Sequence, residues 1–297
     1  MNKKEKSKPK LLLVGNLAKD IVFGHEKYGG SAALIAITAK KLGLDVGIMS
    51  VVGKDEFSKK YISYLNSMEI DTKLVKQLID TIPTCQIFSS ENRISSYIWT
   101  DNGCHDVMVN LTISHEMDKY NLIHLVSCSP DLAVSISKHH NNLSYEPGPL
   151  LPTNSEYFDP FVASRSKLLF LNEEEHLALI NFNKGVTKNN FIYKNISAMI
   201  VTLGEKGSNV IQENQSTIIP AMPLKSDAID PVGAGDNFKA GFLTGYLYGL
   251  PLKLCAQIGS QLGAICVQQV GGILLDKDIE SVKSEYFHLD FVDSYTV

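Results

Sequence analysis

The chain has 297 residues, 44% hydrophobic and 20% charged, which suffices for one large or two ordinary domains with a sizeable core. Twenty-eight basic and thirty-two acidic residues leave a net charge of −4, with no excess of either sign to draw a nucleic acid or a membrane surface. This composition also excludes wholesale disorder and the collagen, coiled-coil and disulfide-scaffold classes.

The first ten residues carry Lys3, Lys4, Lys6, Lys8 and Lys10. The apolar run at 11–14 (LLLV) stops at Gly15 and Asn16, then meets Lys19 and Asp20. That is far short of the roughly 7–15 apolar residues of a signal-peptide core. We expect a flexible basic tail over 1–10 that leads into a buried strand. No stretch of about 18 apolar residues is present to span a membrane. Residues 21–28 form a short polar strand or loop. Gly29, Gly30 and Ser31 then open a helix of Ala32, Ala33, Ile35, Ala36 and Ala39 that ends at Gly43. A buried strand follows at 46–52 (VGIMSVV), and 56–68 repeats Phe57, Tyr61, Tyr64, Leu65 and Met68 at helical spacing. This β-α-β-α order predicts an α/β fold with a doubly wound, mostly parallel sheet flanked by helices.

Residues 84–99 (TCQIFSSENRISSYIW) break the alternation with two strand-like runs around Ser90, Glu91 and Asn92. They predict a hairpin. Joined to the segment near 16–28, the hairpin at 84–100 would make a small β-sheet lid on a single domain spanning 11–297. Leu122–Val126, 168–171, Ala198–Thr202 and 210–211 are further short apolar runs suited to strands. Gly148, Pro149 and Pro152 mark a loop. Helices are expected at 235–248, with Phe238, Phe242 and Leu243 inward, and at 252–269. Five cysteines (Cys85, Cys104, Cys128, Cys255, Cys266) are scattered, odd in number and without a CxxC pair. Such usage suits small buried residues in a reducing cytoplasm.

The sharpest chemical signal is Asp230-Pro231-Val232-Gly233-Ala234-Gly235-Asp236-Asn237-Phe238. The glycines lie where a loop becomes a helix, so backbone amides there can approach an anion closely. Asp236 would then lie beside the bound anion. Two negative charges brought together make sense when the carboxylate takes a proton from an attacking hydroxyl while the amides stabilise a moving phosphoryl group. Taken alone, the block equally fits a glycine-rich helix cap with an acid in its first turn. It is neither a dinucleotide fingerprint, because Phe238 stands where a third small residue is needed, nor a Walker A loop.

This block resembles the DTxGAGD signature of the ribokinase-like (PfkB) carbohydrate kinases, with Pro231 in place of the commoner threonine. Four other blocks are similar to that family's motifs and come in its order over residues 11–272. These are Gly29-Gly30 with its helix, Val52-Gly53-Lys54-Asp55-Glu56-Phe57, Asn172-Glu173-Glu174-Glu175, and Thr202-Leu203-Gly204-Glu205-Lys206-Gly207. The resemblance implies a ribokinase-like fold and transfer of the γ-phosphoryl of ATP to a hydroxyl of a sugar or polyol. It implies Asp236 as general base and Gly233, Ala234 and Gly235 as the anion hole. Asp20, Gly29 and Gly30 would bind the acceptor, and Thr202, Gly204 and Gly207 the nucleotide. Asn172 and Glu175 would hold the Mg2+ region, although the same pair also fits a helix capping box. A monovalent cation is left open. Separately, a homodimer through the lid is an expectation, since an exposed strand edge can pair with a second copy.

One departure bears on the acceptor: Leu34 stands five positions after Gly29, where many sugar kinases of the family carry asparagine. A nucleoside kinase is therefore the alternative, and a sugar- or nucleotide-binding regulator without turnover is a further one. His105, His139 and His140 lack partners at metal spacing and are expected on surfaces or loops. Trp99 suits either a ring contact or the apolar face of a hairpin. Arg93 suits a solvated turn, and Tyr145-Glu146-Pro147-Gly148-Pro149 is left without a role.

Overall fold

A computed structural model describes residues 8–90, 93–213 and 215–287. Most of the tail expected over 1–10, and Glu91 and Asn92 of the hairpin, lie outside the described residues, as does the side chain of Arg93. The chain opens with β1 (Lys10–Gly15), leaves for the hairpin β2 (Ala18–Val22) and β3 (His25–Gly29), and returns through α1 (Ser31–Lys41), β4 (Asp45–Gly53), α2 (Glu56–Ser67) and β5 (Asp71–Ile79). A second excursion makes β6 (Thr84–Ser90) and β7 (Arg93–Thr100). The short helix α3 (Cys104–Met108) then leads to β8 (Leu122–Val126), α4 (Pro130–His139), β9 (Leu143–Glu146), α5 (Pro160–Arg165), β10 (Ser166–Asn172), α6 (Glu173–Asn181) and β11 (Ala198–Thr202). The hairpin β12 (Ser208–Gln212) and β13 (Gln215–Ile219) precedes three helices, α7 (Ala234–Leu247), α8 (Leu252–Cys266) and α9 (Asp276–Tyr286).

Nine strands form one sheet in the order β13-β12-β11-β10-β9-β8-β1-β4-β5, parallel except for the β11-β12-β13 end. Its central strands are buried on both faces, which is why β1, β10 and β11 read as near-continuous apolar runs, while β8 is interrupted only by the buried His124. Leu11 and Leu13, Leu168 and Phe170, and Ala198 and Ile200 pack with α1, α2, α7, α8 and α9. Their neighbours Leu12 and Val14, Leu169 and Leu171, and Met199 and Val201 pack on the opposite face with α4, α5 and α6. No described helix is long and apolar enough to cross a membrane.

Three strands escape the sequence pattern. In β5 (DTKLVKQLI) the burial pattern of a central strand is absent, because it is the sheet edge and shows Lys73, Lys76 and Gln77 to solvent. β9 has only four residues, and β13 at the other edge is exposed over most of its length. A separate four-stranded sheet, in the order β3-β2-β6-β7, stands outside the large one.

In a parallel sheet with helices on both faces, the carboxyl ends of the strands open onto a common edge. Register aligns Gly15 with Val126 and Val126 with Glu146. The residues that follow these strands, Asn16, Ser127 and Pro147, therefore emerge side by side, and all three border the cavity described below.

Candidate active site

A cavity of about 270 Å3 lies between the small sheet and the carboxyl ends of the large one. Asn16, Asp20 and Gly30 border it on one side, Cys85, Ile87 and Trp99 of the small sheet on another, and Gly233 and Asp236 at its floor. Asp20 belongs to β2. Its carboxylate lies against Gly29, where a Cβ would be 2.0 Å from Oδ2. Gly30 has φ 89° and is the N-cap of α1, with its carbonyl receiving the amides of Ala33 and Leu34.

The loop before α7 turns at Gly233, with φ 78°. A side chain there would also collide with Gly272, whose Cα lies 2.6 Å from the Cβ position. Asp230, fully buried, braces the loop by accepting the amides of Val232 and Gly271, each at 2.8 Å. Asn237 pins its far side. Its amide nitrogen donates to the carbonyls of Gly233 (2.9 Å) and Gly272 (2.8 Å), and its oxygen accepts the Thr38 hydroxyl (2.6 Å). Leu34 packs beneath Gly233 and Gly272 and so shapes the loop's support as well as the cavity wall. The Ala234 amide is occupied by the Pro231 carbonyl at 3.2 Å. Gly235 and Asp236 fill the first turn of α7, where a helix supplies its own amides with no acceptors and its dipole favours an anion.

Asp236 lies one turn into that helix. Its Oδ1 is 3.0 Å from Nζ of Lys239. Lys239 in turn meets both oxygens of Glu146, at 2.7 Å each, and His124 approaches Glu146 at 3.7 Å. Burial pushes the Asp20 carboxyl up to about 7, with Asp236 and Asp230 adding repulsion. Burial would raise Glu146 too, but the Lys239 charge outweighs it and holds that carboxyl low.

The cavity gathers Asp20, Gly30, Gly233 and Asp236 of the residues expected from sequence. The others stand apart from its wall. Asn172 and Glu175 bind one another in a capping box at the start of α6, Asn172 N–H to Glu175 at 2.9 Å and Glu175 N–H to Asn172 at 2.8 Å. Burial and the nearby Glu146 raise Glu175 to about 7. No three His, Cys, Asp or Glu side chains among the described residues group as a metal site. Thr202 ends β11 beside Asn172 in register. Gly204 and Gly207 make the tight turn to β12, where a Cβ on Gly207 would lie 2.0 Å from the Ile219 carbonyl.

Sequence patterns gave no site role to Asn16 or His105, which border the cavity, and only the position of Asn16 directly after the β1 glycine could have flagged it. His105, expected on a surface or loop, lines the cavity instead. Its Nδ1 meets Asp101 at 2.5 Å and its Nε2 meets the Ser127 carbonyl at 3.2 Å. Burial opposes its protonation, but Asp101 prevails and holds the imidazole above its ordinary range. Trp99 borders the cavity beside His105 and interacts with the same Asp101. Lys239 and Glu146 complete the omissions. A second cavity lies between the segment after β13 and α8 and α9, bordered by Met222, Pro223, Gln268 and Lys277.

Residues 23–278 match the family described as pfkB family carbohydrate kinase. The chain is 29% identical over 288 residues to a nucleoside kinase of Methanocaldococcus jannaschii, covering 88% of this chain and 91% of that one. The crystal structure of that protein, an archaeal member of the ribokinase family, superposes with a TM-score of 0.78 over 93% of this chain and 98% of its own. An ATP-dependent 6-phosphofructokinase of Thermoanaerobacterium thermosaccharolyticum is 26% identical over 285 residues, covering 88% and 86%. A nucleoside kinase of Burkholderia thailandensis in complex with inosine shares the fold at a TM-score of 0.78 and 19% identity, covering 93% and 98%.

Proposed function

The chain belongs to the pfkB family of carbohydrate kinases, and on that footing we propose that the sugar hydroxyl it phosphorylates from ATP is carried by a nucleoside. The observation that carries this reading is the lining of the acceptor cavity. Leu34, Ile87, Tyr97, Trp99, Leu150 and Tyr157 supply an apolar and aromatic wall, while Asn16, Asp20 and Asp236 supply the polar groups. A free sugar shows hydroxyls all round and would leave several of them unpaired against that wall. A nucleoside matches both halves, with a flat base for the aromatic side and a ribose for the carboxylates. The similar nucleoside kinases favour the same acceptor. This reverses the order expected from sequence, in which a free sugar or polyol came first.

Asp20 would hold the ribose hydroxyls. Asp236 would take the proton of the attacking hydroxyl as its oxygen bonds to the γ-phosphorus. The bond from that phosphorus to the bridging oxygen breaks, and ADP leaves with the electron pair. The first-turn amides of Gly235 and Asp236, with the α7 dipole, would offset charge on the transferring group, and Gly233 and Ala234 would set the turn that aims them. Gly29 and Gly30 would let the ribose approach the backbone. Thr202, Gly204 and Gly207 would run beside the nucleotide, and its base would enter the second cavity. There the segment leading to the anion loop is tied to α8 by Gln268, which accepts the amides of Lys225 and Ser226. Asn172 and Glu175 are hard oxygen donors suited to a hydrated Mg2+ that rests chiefly on phosphates. Bound there, the ion would supply positive charge across the phosphate chain. The small sheet would act as a lid that keeps water from the phosphoryl group. A second copy of the chain is the occupant we propose for its outer face, where Ile98 is exposed.

Release of ADP across a panel of nucleosides, free pentoses, hexoses and inositols tests the acceptor. At least one nucleoside should exceed every free sugar in kcat/KM by about 10²-fold, the worth of one to two stacking contacts. A free sugar or polyol that surpasses all nucleosides overturns the reading.

A further inference from the structure

Lys239 is 8% exposed. Lysines are almost never buried without partners, and this one touches three carboxylate oxygens: both of Glu146 and Oδ1 of Asp236. The contact to Asp236 is set by helix geometry, because residues 236 and 239 are three apart on one face of α7. The contact to Glu146 is set by the fold. Glu146 ends β9, 93 positions earlier, and neighbouring β8 offers His124 to the same carboxylate. The ammonium is therefore clamped from the sheet and presented to the helix.

We infer that Lys239 is the positioning residue of phosphoryl transfer: gripped by Glu146, it holds Oδ1 of Asp236 so that the other oxygen of that carboxylate is aimed at the acceptor hydroxyl. This rests on Asp236 being the base. The surroundings of Asp236 explain the need. Asp20 of β2 faces it as a like charge, and His124 of β8 and the Cys266 thiol of α8 lie within its field. Lys239 is the cation that touches it, at 3.0 Å. Without that contact the carboxylate would be free to turn away from the acceptor hydroxyl.

Kinetic and thermal measurements on Lys239→Met, Lys239→Arg, the double variant Lys239→Met/Glu146→Leu and the control Asp236→Asn test this. Lys239→Met should lose about 10²-fold in kcat while KM for ATP changes by less than about threefold, as expected when only transition-state stabilisation is lost. Lys239→Arg, which keeps the charge and a donor for Asp236, should recover most of the lost kcat. The double variant removes the stranded Glu146 carboxylate and so guards against a failure to fold. It should regain thermal stability but not kcat. Wild-type kcat in the double variant would reduce Lys239 to a counterion of Glu146 and overturn the inference. Wild-type kcat in Asp236→Asn would instead overturn the base assignment, a separate failure.

Discussion

Asp20 occupies a costly place for a carboxylate. It is 7% exposed, faces Asp236 and Asp230, and is pushed up to about 7 against an ordinary 3.8. A carboxyl whose native pKa is raised makes its contribution in the protonated form. That contribution is complete below about 3.8 and is lost as pH climbs through about 7. Asp20→Asn carries no such titration. The unfolding free energy of the variant relative to wild type should therefore shift in the variant's favour from pH 5 to pH 8, on the order of 2–4 kcal/mol across that window. A difference that does not change with pH refutes the assignment. A ligand whose hydroxyls donate to Asp20 would stabilise its ionised form.

At the level of elements, the loop before α7 owes its shape to what surrounds it. Asn237 joins the loop, α1 and the 270–272 turn through three hydrogen bonds. Asn237→Ala would leave the Thr38 hydroxyl and the Gly272 carbonyl buried without this partner. The expected cost is about 2–4 kcal/mol, read as a fall in Tm of roughly 5–10 °C. A fall under 1 °C would show that the three elements hold the loop without it. The sequence displayed this region well because its determinants are local: a glycine turn, an acid in the first helical turn and apolar residues at helical spacing. The central strands were equally plain, since burial on both faces leaves unbroken runs such as LLLV in β1. Edge strand β5 was hidden because its lysines face solvent, and β9 because four residues run straight into Pro147 and Gly148. The Lys239–Glu146 clamp was out of reach for another reason, as its halves lie 93 positions apart and meet only when β9 lines up with α7. His105 fits the same description, since its role depends on the Ser127 carbonyl at the end of β8.

The whole molecule is two sheets of unequal size with a cavity between them. Alternation along β6 and β7 sends Cys85, Ile87, Tyr97 and Trp99 to the cavity and Ile98 to the outer face, where it is 57% exposed. If a second copy covers that face, light scattering after size exclusion should give a dimer mass for the wild type. Ile98→Asp should be monomeric, with Tm reduced by no more than a few degrees. A monomeric wild type at tens of micromolar would remove the second copy from the proposal. Four stretches of chain join the small sheet to the rest, before Ala18, after Gly29, before Thr84 and after Thr100. Pairing puts all four in one row, Ala18 beside Gly29, Lys19 beside Thr84, and Thr84 beside Thr100. A plate fastened along a single edge can tilt about that edge but cannot slide sideways. In the lid proposed above, the gap beneath Trp99 would widen to admit a molecule and narrow upon it, while Asp20, two positions from the fastened row, would scarcely shift relative to Asp236.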